Sequence, residues 1–335
     1  MSSGKITVLT EGGRVFGLGH IARCLSICQY FEELDLVSEF IIEGDDSVLS
    51  ALEGRSFTLM NWLNNVTVLQ RLEDSAFVLV DSLRLTEVQM KSLQNIDAHI
   101  IYIDDDRRTN FLDHGFVVDW TVLSDQKKYF FPRKEDVIYL LGSQYTPLRS
   151  AFVGVDKINI KENVKNVLIS FGGSDVRNLT PEVLKVMKLH FPELKKRVVV
   201  GHGFENINKI KLFQDNNTTL IYSANAEQMS LLMQDSDIAI SGGGQTLYEL
   251  ASLGVPTIAP LLVENARDDT EGWAKVGAVD YIGHFDDKDL MEKLILSVKK
   301  ISNQKVRQKM QLNGSAFIGT DGGRLILNAV INKAK

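Results

Sequence analysis

The residues with the clearest chemical pattern run from Ser241 to Pro256 and read SGGGQTLYELASLGVP. The apolar run Asp237–Ile240 before them predicts a short buried strand, and the consecutive glycines then allow the backbone to turn sharply and to approach a ligand closely. A helix is predicted to begin at Gln245. Because the first N–H groups of a helix have no intrahelical partner and lie at the positive end of its dipole, this turn is suited to bind a phosphate-bearing ligand.

A carboxylate lies about one turn into this predicted helix. Glu249 could accept hydrogen bonds from ribose hydroxyl groups, so the whole pattern predicts a nucleotide site. The alternative interpretation is an ordinary strand-to-helix turn in which the glycines only allow tight packing. A second glycine turn, Gly172-Gly173-Ser174, could add contacts to a phosphate or a sugar, and His202 could contact the base of the nucleotide.

Another glycine-rich loop, Gly12–Gly19, follows the first predicted strand and leads to His20 at the opening of a predicted helix. A neutral imidazole is the side chain best suited to take a proton from water near pH 7. His20 is therefore a candidate general base. The alternative interpretation is a residue in the first turn of a helix that only caps or packs.

These residues need a scaffold of parallel strands, and the sequence predicts one in each half of the chain. Short apolar, β-branched runs alternate with helical segments, as parallel sheets require. In the first half the predicted strands are Lys5–Leu9, Glu39–Ile42, Phe77–Val80 and His99–Ile103, with a helix over His20–Glu33. In the second half they are Asn166–Ser170, Val198–Val200, Thr219–Tyr222, Asp237–Ile240, Thr257–Ala259 and Val279–Ile282.

The alternation is interrupted at Pro147–Asn163, which predicts a domain boundary. We expect an α/β protein with two doubly wound, Rossmann-like domains that face each other across a cleft, with His20 at its rim. The predicted divisions are an N-terminal domain over 1–150 that carries His20, a linker over 151–163, a C-terminal domain over 164–317 that carries the predicted nucleotide site, and a C-terminal helix over 318–335.

Composition limits the class of protein and of partner. The chain has 335 residues, enough for two domains with cores of their own, and its 44% hydrophobic and 24% charged residues are typical of a soluble globular protein. No apolar run is long enough to span a membrane, and Met1–Lys5 does not open a signal peptide. A net charge of −6 argues against nucleic-acid binding. We therefore expect a cytoplasmic protein with a small-molecule ligand and no protein partner.

Two groups of residues raise the question of a metal, and neither predicts one. His20, Cys24 and Cys28 have helical spacing, but thiols in an apolar helix are typical of a core, and zinc normally needs four ligands or three plus water. Cysteines four residues apart on one helix are also poorly placed for a disulfide. Asp104-Asp105-Asp106 could hold Mg²⁺ against a diphosphate, but a helix start can neutralise a diphosphate without metal. No metal or other cofactor is expected.

Several motifs that occur in a fixed order resemble one enzyme family. The block Ser241–Asn265 by itself resembles the donor-nucleotide half of glycosyltransferases with two facing Rossmann-like domains, the GT-B fold of MurG-type enzymes. The whole series is similar to the UDP-sugar hydrolase of pseudaminic acid biosynthesis, which removes UDP from UDP-2,4-diacetamido-2,4,6-trideoxy-β-L-altropyranose. The motifs are GLGHIARCL at Gly17–Leu25, the strand end Leu79–Asp81, the acidic turn Ile103–Asp105, Leu140–Tyr145 with Leu148–Phe152, and Ser170–Asp175 with Asn178–Thr180.

The resemblance implies hydrolysis at the anomeric carbon with inversion, with UDP as the leaving group. His20 then matches the proposed general base, Asn265 the asparagine that positions water or sugar, and Glu249 the ribose-binding acid. The diphosphate cradle is implied at Gly243, Gly244 and Gln245, with Thr246 beside it. Further substrate contacts are predicted at Gly17, Gly19, Arg23, Asp81, Gly172, Gly173 and Ser174.

The chain departs from the family pattern on the sugar side. Asp81 is followed by Ser82-Leu83 where the family often has His-Tyr, so an aromatic hydroxyl is missing. Ala266 stands where glutamine is usual, and Asp106-Arg107-Arg108 replace a Leu-Ala-Asp type of continuation. These changes leave the nucleotide site intact and the identity of the sugar open.

Three functions are compatible with these residues. The first is the UDP-sugar hydrolase, the second is a glycosyltransferase of the same architecture that needs an acceptor, and the third is a non-catalytic protein that binds a nucleotide sugar. His20 and Asn265 argue against the third. A nonhydrolysing sugar-nucleotide epimerase shares the fold, but the paired acids that would secure its chemistry are not found.

Overall fold

The computed structural model describes residues 4–52, 54–105, 111–126, 132–319 and 321–334. The chain forms two compact units. The first comprises Met1–Leu148 together with Asp321–Lys335, and the second comprises Arg149–Thr320. Each unit has a sheet of its own.

The strands are numbered in chain order. Those of the first unit are β1 (Lys5–Gly12), β2 (Val37–Gly44), β3 (Ser56–Leu59), β4 (Ser75–Asp81), β5 (His99–Ile103), β6 (Gly115–Asp119) and β7 (Val137–Leu141). Those of the second are β8 (Asn166–Ser170), β9 (Lys195–Val200), β10 (Thr218–Tyr222), β11 (Ile238–Ser241), β12 (Thr257–Leu261) and β13 (Val279–His284).

The helices are numbered in the same way. They are α1 (Gly19–Glu32), α2 (Val68–Arg71), α3 (Glu87–Leu93), α4 (Thr180–His190), α5 (Ile207–Leu212), α6 (Ala226–Gln234), α7 (Gln245–Ser252), α8 (Arg267–Lys275), α9 (Leu290–Ile301), α10 (Gln304–Ser315) and α11 (Gly322–Ala334). Short 3₁₀ turns lie at Asp46–Ser50, Trp62–Asn64, Ser124–Gln126, Ser143–Tyr145, Ser150–Phe152 and Glu264–Ala266.

The sheet of the first unit is parallel throughout, in the order β3-β2-β1-β4-β5-β6-β7. The strand order reverses between β1 and β4, and such a switch point is where parallel α/β sheets bind ligands, at the carboxyl ends of the strands. Thr10 of β1 is the register partner of Asp81 of β4. The loop after β1 and the end of β4 therefore meet at this switch point.

The sheet of the second unit is also parallel, in the order β10-β9-β8-β11-β12-β13. Its switch point lies between β8 and β11, where Ser170 and Ser241 are register partners. The two glycine turns of the second unit follow these two serines, so they leave the sheet from neighbouring points.

Both sheets are covered by apolar side chains, as parallel sheets require. In the first unit Leu9, Val78 and Val80 belong to one buried cluster. In the second unit Ile169 and Ile240 belong to another cluster, which extends to α4 and α9. Each unit therefore buries a core of its own.

The helix α11 belongs to the first unit and packs against α1. Its apolar residues Ile326, Leu327 and Val330 are buried. Gly323 allows close approach, because an ideal Cβ there would lie 2.1 Å from Cε2 of Tyr30. The ends of α1 and α11 are also joined by residues on their surface, through an ion pair between Arg324 Nη2 and Glu33 Oε2 at 2.8 Å.

The α/β class with parallel sheets that the sequence predicts is confirmed. Three strands of the first unit, β3, β6 and β7, are absent from the predicted set. Each is a run of four or five residues, and periodicity alone does not distinguish such a run from a buried helix segment. Strands of the same length, such as β11, are predicted from their apolar content, so length alone does not account for the omission.

Candidate active site

The loop between β1 and α1 places His20 in the first turn of α1. Two backbone hydrogen bonds close this loop, from Gly13 N to Gly17 O at 2.9 Å and from Gly17 N to Gly13 O at 2.7 Å. Helix α1 then begins at Gly19. His20 therefore lies at the opening of a helix, as the sequence predicts, and at the carboxyl ends of the strands.

A buried carboxylate holds the His20 ring. Nδ1 of His20 lies 2.9 Å from Oδ1 of Asp81, whose side chain is 1% exposed, against 15% for His20. Because an ionised carboxylate only accepts hydrogen bonds, we assign the proton of the neutral imidazole to Nδ1. Nε2 then keeps its lone pair, which is the arrangement that a general base requires.

Arg23 holds the same carboxylate from a second direction. Its Nε donates to Asp81 Oδ2 at 2.6 Å and its Nη2 to Oδ1 at 2.5 Å, while Nη1 donates to Asp105. Burial by itself would raise the pKa of Asp81, but Arg23 and His20 outweigh it and hold that pKa well below the usual range. Asp81 is therefore ionised at neutral pH and restrains the orientation of the His20 ring.

Asp81 and Arg23, which the sequence predicts to contact the substrate, are bound to side chains of the protein in the structure. The carboxylate oxygens of Asp81 are engaged by His20, Arg23 and the thiol of Cys24. The Arg23 guanidinium bridges two carboxylates and lies over the ring of Trp120, at 5.8 Å from its centroid. Both residues are placed to support the histidine.

Sequence reasoning missed Glu11, which precedes the last residue of β1. Its carboxyl group is buried and accepts a hydrogen bond from Ser82 Oγ at 2.5 Å. Burial raises the pKa of Glu11, and the Ser82 hydrogen bond and His20 only partly offset this increase. The available signal was an acid at the end of a buried parallel strand, directly before the glycine loop. Ser82, which departs from the family pattern, is the donor to this acid.

In the second unit, the main glycine turn fits closely against the start of α8. An ideal Cβ on Gly243 would lie 2.7 Å from Thr270 Oγ1 and 2.9 Å from Ala266 Cβ. Gly244 has a φ of +85°, a conformation that glycine adopts without strain, and directly precedes α7. Gly243, Gly244 and the first residues of α7, Gln245 and Thr246, are partly exposed at this edge of the sheet.

Glu249 already has a strong partner inside the second unit. Its oxygens accept hydrogen bonds from Arg149 Nε at 2.6 Å and from Arg149 Nη2 at 2.9 Å. The side chain of Glu249 is 3% exposed and that of Arg149 is 29% exposed. The predicted ribose acid is therefore the buried half of a bidentate ion pair that the sequence did not predict.

The second glycine turn packs against the loop that follows β9. Gly203 N donates to Gly173 O at 2.9 Å, and an ideal Cβ on Gly201 would lie 2.2 Å from the same oxygen. Gly172 and Gly173 are exposed, and Ser174 is partly exposed. His202, the candidate base contact, pairs with Ser223, whose Oγ lies 3.1 Å from the His202 Nδ1.

Asn265 lies in the 3₁₀ turn after β12, between Glu264 and the buried Ala266. Its side chain is exposed at the same edge as the glycine turns. The predicted residues thus form two groups, one at the carboxyl edge of each sheet. Gly17, Gly19, His20, Arg23 and Asp81 are in the first unit, whereas Gly172–Ser174, Gly243–Thr246, Glu249 and Asn265 are in the second.

Neither a cluster of metal-binding side chains nor a membrane-spanning helix occurs among the described residues. No three side chains of His, Cys, Asp or Glu in this part of the chain lie close enough together to hold a metal ion. Of the predicted acidic turn, Asp106 lies outside the described residues, as do Arg107 and Arg108. No helix among the described residues has the length and apolar content that crossing a membrane requires.

Comparison with protein families points to the second unit. The family model described as Glycosyltransferase family 28 C-terminal domain matches residues 167–318. This range lies within the second unit and contains both of its glycine turns. The second unit is therefore similar to the C-terminal domain of these glycosyltransferases.

Curated relatives match most of the chain at low identity. An uncharacterized protein of Methanocaldococcus jannaschii is 28% identical, over 81% of this chain and 58% of that protein. The pseudaminic acid cytidylyltransferase and UDP-2,4-diacetamido-2,4,6-trideoxy-β-L-altropyranose hydrolase of Helicobacter pylori is 25% identical, over 78% of this chain and 45% of that protein. The spore coat polysaccharide biosynthesis protein SpsG of Bacillus subtilis is 21% identical, over 83% of each. The chain spans about half the length of the first two.

Solved structures show the fold. MurG of Acinetobacter baumannii superposes with a TM-score of 0.69 at 11% identity, over 98% of this chain and 99% of that one. The UDP-GlcNAc 2-epimerase of Neisseria meningitidis, bound to UDP-GlcNAc, superposes with a TM-score of 0.62 at 16% identity, over 98% of this chain and 100% of that one. The predicted GT-B class with two Rossmann-like domains is confirmed.

Proposed function

We propose that the protein hydrolyses a UDP-linked diacetamido-trideoxyhexose at the anomeric carbon, with inversion, and releases UDP and the free sugar. The observation that carries the proposal is the Asp81–His20 pair, which leaves Nε2 of His20 as an oriented proton acceptor. Hydrolysis needs such a base for water, whereas binding alone does not. The name of the Helicobacter relative, which includes hydrolysis of a UDP-sugar of this kind, supports the proposal. We also propose that the reaction serves nonulosonic acid synthesis in the cytoplasm.

The second unit is proposed to bind the nucleotide. The amides of Gly243, Gly244 and Gln245 lie at the start of α7, where backbone N–H groups favour a diphosphate. Thr246 adds a hydroxyl beside them, and the neighbouring turn over Gly172–Ser174 adds further contacts. Asn265, exposed at the same edge, is proposed to position water or sugar.

The ribose is proposed to bind at Glu249. An ionised carboxylate has about four lone-pair sites, and the bidentate pair with Arg149 uses two of them. Arg149 holds the carboxylate in one orientation, so the remaining sites point in fixed directions. A pair of ribose hydroxyls fits acceptors of this kind.

The proposed reaction breaks one bond and forms one. A water oxygen forms a bond to the anomeric carbon, while the bond from that carbon to the β-phosphate oxygen breaks and its electron pair stays with UDP. Nε2 of His20 takes the water proton, and Asp81 stabilises the imidazolium that forms. Inversion follows because the water attacks the face opposite the leaving group.

Asp81 and Arg23 are proposed as positioning residues and not as substrate contacts. The carboxylate fixes the ring of His20, and Arg23 fixes the carboxylate. Gly17 and Gly19, which flank the turn before the histidine, remain proposed contacts to the sugar through their backbone.

A second candidate function is sugar transfer from UDP to an acceptor other than water. The match of residues 167–318 to a glycosyltransferase domain favours it. In that case His20 would take the proton of an acceptor hydroxyl, and release of UDP would depend on that acceptor.

The experiment that separates these functions measures UDP release from a panel of UDP-diacetamido-trideoxyhexoses without any acceptor. The variants are His20→Ala and, as a control, His190→Ala, which removes an exposed histidine at the end of α4. We expect release by the native protein and by the control, and a loss of about 100-fold or more in the His20 variant, with UDP binding retained.

The outcomes assign the function. UDP binding with no release from any sugar would overturn the hydrolase and favour the transferase. Equal rates of UDP release by the native protein and the His20 variant would show that His20 is not the general base. Absence of UDP binding by the native protein would reject both functions.

A further inference from the structure

The proposed nucleotide site has backbone donors but no assigned cation, although a diphosphate carries more charge than a helix dipole offsets. Arg177 is a candidate for this cation. It lies in the loop that joins the second glycine turn to α4, and therefore follows β8 at the switch point of the second sheet. Its side chain is exposed.

Two contacts hold the Arg177 side chain across the carboxyl edge of the sheet. Nε donates to the carbonyl oxygen of Leu262 at 2.9 Å, and the guanidinium carbon lies 4.0 Å from the ring centroid of Phe285. Leu262 follows β12 and Phe285 follows β13, so the side chain reaches over the ends of both strands. The pairing through Nε leaves Nη1 and Nη2 available, and a fixed guanidinium of this kind suits phosphate oxygens.

Leu262 connects Arg177 to the main glycine turn. An ideal Cβ on Gly242 would lie 2.5 Å from Cδ1 of Leu262, so the residue that accepts from Arg177 also packs against this turn. Glu264 and Asn265 follow two and three residues later. Arg177 therefore lies on the side of the turn where the sugar, and with it the β-phosphate, is proposed to bind.

Two other basic residues at this edge, Arg267 and His284, are already paired with acids. Arg267 is bound to Glu264 at 2.9 Å and to Glu271 at 2.7 Å, and the imidazole of His284 is bound to Asp286. Arg177 has no ion pair with an acid among the described residues. The nearby carboxylate of Asp286 has a lowered pKa, mainly because His284 is hydrogen-bonded to it and in smaller part because of the charge of Arg177.

We propose that Arg177 binds the β-phosphate of the nucleotide and stabilises the negative charge that this phosphate gains when the glycosyl bond breaks. This inference rests on the proposed function, since it takes the UDP site as given. It adds a side-chain cation to a diphosphate site whose other proposed contacts are backbone amides and the hydroxyl of Thr246.

The test compares the affinities of the 335-residue chain for UDP and for UMP, which lacks the β-phosphate, by titration calorimetry. The variants are Arg177→Ala and Arg177→Lys. Arg197→Ala is the control, because it removes the same charge from the second unit, at an arginine that pairs with Asp235 near the opposite end of the sheet. Melting temperatures show whether each variant is folded.

We expect Arg177→Ala to weaken UDP binding by about ten- to hundredfold and UMP binding by less than about threefold. Arg177→Lys keeps the charge but loses the Nε contact, so its UDP affinity should lie between those of the native protein and the alanine variant. Arg197→Ala should bind both ligands as the native protein does.

Two results would overturn the role of Arg177 while leaving the UDP site in place. If Arg177→Ala binds UDP as tightly as the native protein does, Arg177 does not contact the β-phosphate. If the variant loses affinity for UDP and UMP equally, Arg177 only holds the loop in place. If the native protein binds neither nucleotide, the proposed function fails and the Arg177 proposal fails with it.

Discussion

At the scale of single residues, the Asp81 carboxylate controls both the orientation of His20 and the charge balance around Arg23. All three side chains meet at the end of β4, and the carboxylate is almost fully buried. Removing the negative charge while keeping the shape of the side chain therefore separates electrostatics from packing.

We predict that Asp81→Asn lowers stability by about 3 kcal/mol, because Arg23 loses one of its two carboxylate partners in a largely buried place. The rate of UDP release should also fall, since an amide does not select the Nδ1-protonated ring. Chemical denaturation and a release assay measure the two effects. The control is Asp74→Asn, which changes an exposed acid. Equal losses of stability and of release rate in the two variants would contradict the role of Asp81.

The same residue predicts a dependence of stability on pH. The pKa of Asp81 is lower in the folded protein than in the unfolded chain, so the unfolded chain binds more protons under acid conditions. The contribution of Asp81 is complete above about pH 5, begins to fall near the ordinary aspartate pKa of about 4, and is lost progressively as the pH falls further toward the lower pKa of the folded state. Denaturation between pH 3 and 7 should therefore give a flatter acid slope for Asp81→Asn than for the native protein. Parallel slopes would contradict this account.

Glu249 permits a residue-scale test of ribose binding. The native protein should bind UDP more tightly than 2′-deoxy-UDP, and Glu249→Gln should reduce this preference to below about threefold. Glu193→Gln, which changes an exposed acid of the same unit, should keep the preference. If the glutamine variant still discriminates as the native protein does, the ribose is bound elsewhere.

At the scale of elements, the turn before α7 depends on a backbone conformation and not only on small size. At Gly244 φ is +85°, and nothing lies within 4 Å of an ideal Cβ there. Gly54, in the first unit, has a φ of +82° and equally free space. The two positions therefore carry similar strain in an alanine variant but differ in their relation to the proposed site.

We predict that Gly244→Ala and Gly54→Ala each lower stability by about 1–2 kcal/mol. Only Gly244→Ala should weaken UDP binding, since relaxation of the strain redirects the first N–H groups of α7. Denaturation and UDP titration of both variants check this. Normal UDP binding by Gly244→Ala would show that these amides do not bind the diphosphate.

The elements also show how far the sequence predicts the structure. The glycine loops, His20 and the strands at both switch points were identified because each is a local pattern of a few residues. The partners of these residues were not. Asp81 is distant in sequence from His20, and Arg149 is distant from Glu249. Residue type places a side chain at the edge of a sheet, but only packing decides which neighbour it faces.

At the scale of the whole molecule, the first unit is made from two separate pieces of the chain. Ile326 of α11 is fully buried in this unit. We predict that Ile326→Ala lowers stability by about 2–5 kcal/mol. Leu325→Ala, at a 44% exposed position of the same helix, should change it by less than about 0.5 kcal/mol.

Hydrogen exchange would locate the effect of Ile326→Ala. Faster exchange is expected in α1, which packs on α11, and in the strands of the first unit. The second unit should keep its exchange rates and its affinity for UDP. Faster exchange confined to the second unit would contradict the assignment of α11 to the first.

The place of α11 also bears on the order in which the protein matures on the ribosome. The strands of the first unit emerge before any part of the second, yet the helix that covers α1 is synthesised after the whole of the second unit. Synthesis of the second unit is thus complete while the first unit still lacks the helix that covers α1. Of the two units, the one that carries His20 is therefore the last to gain all of its residues, although its strands are made first.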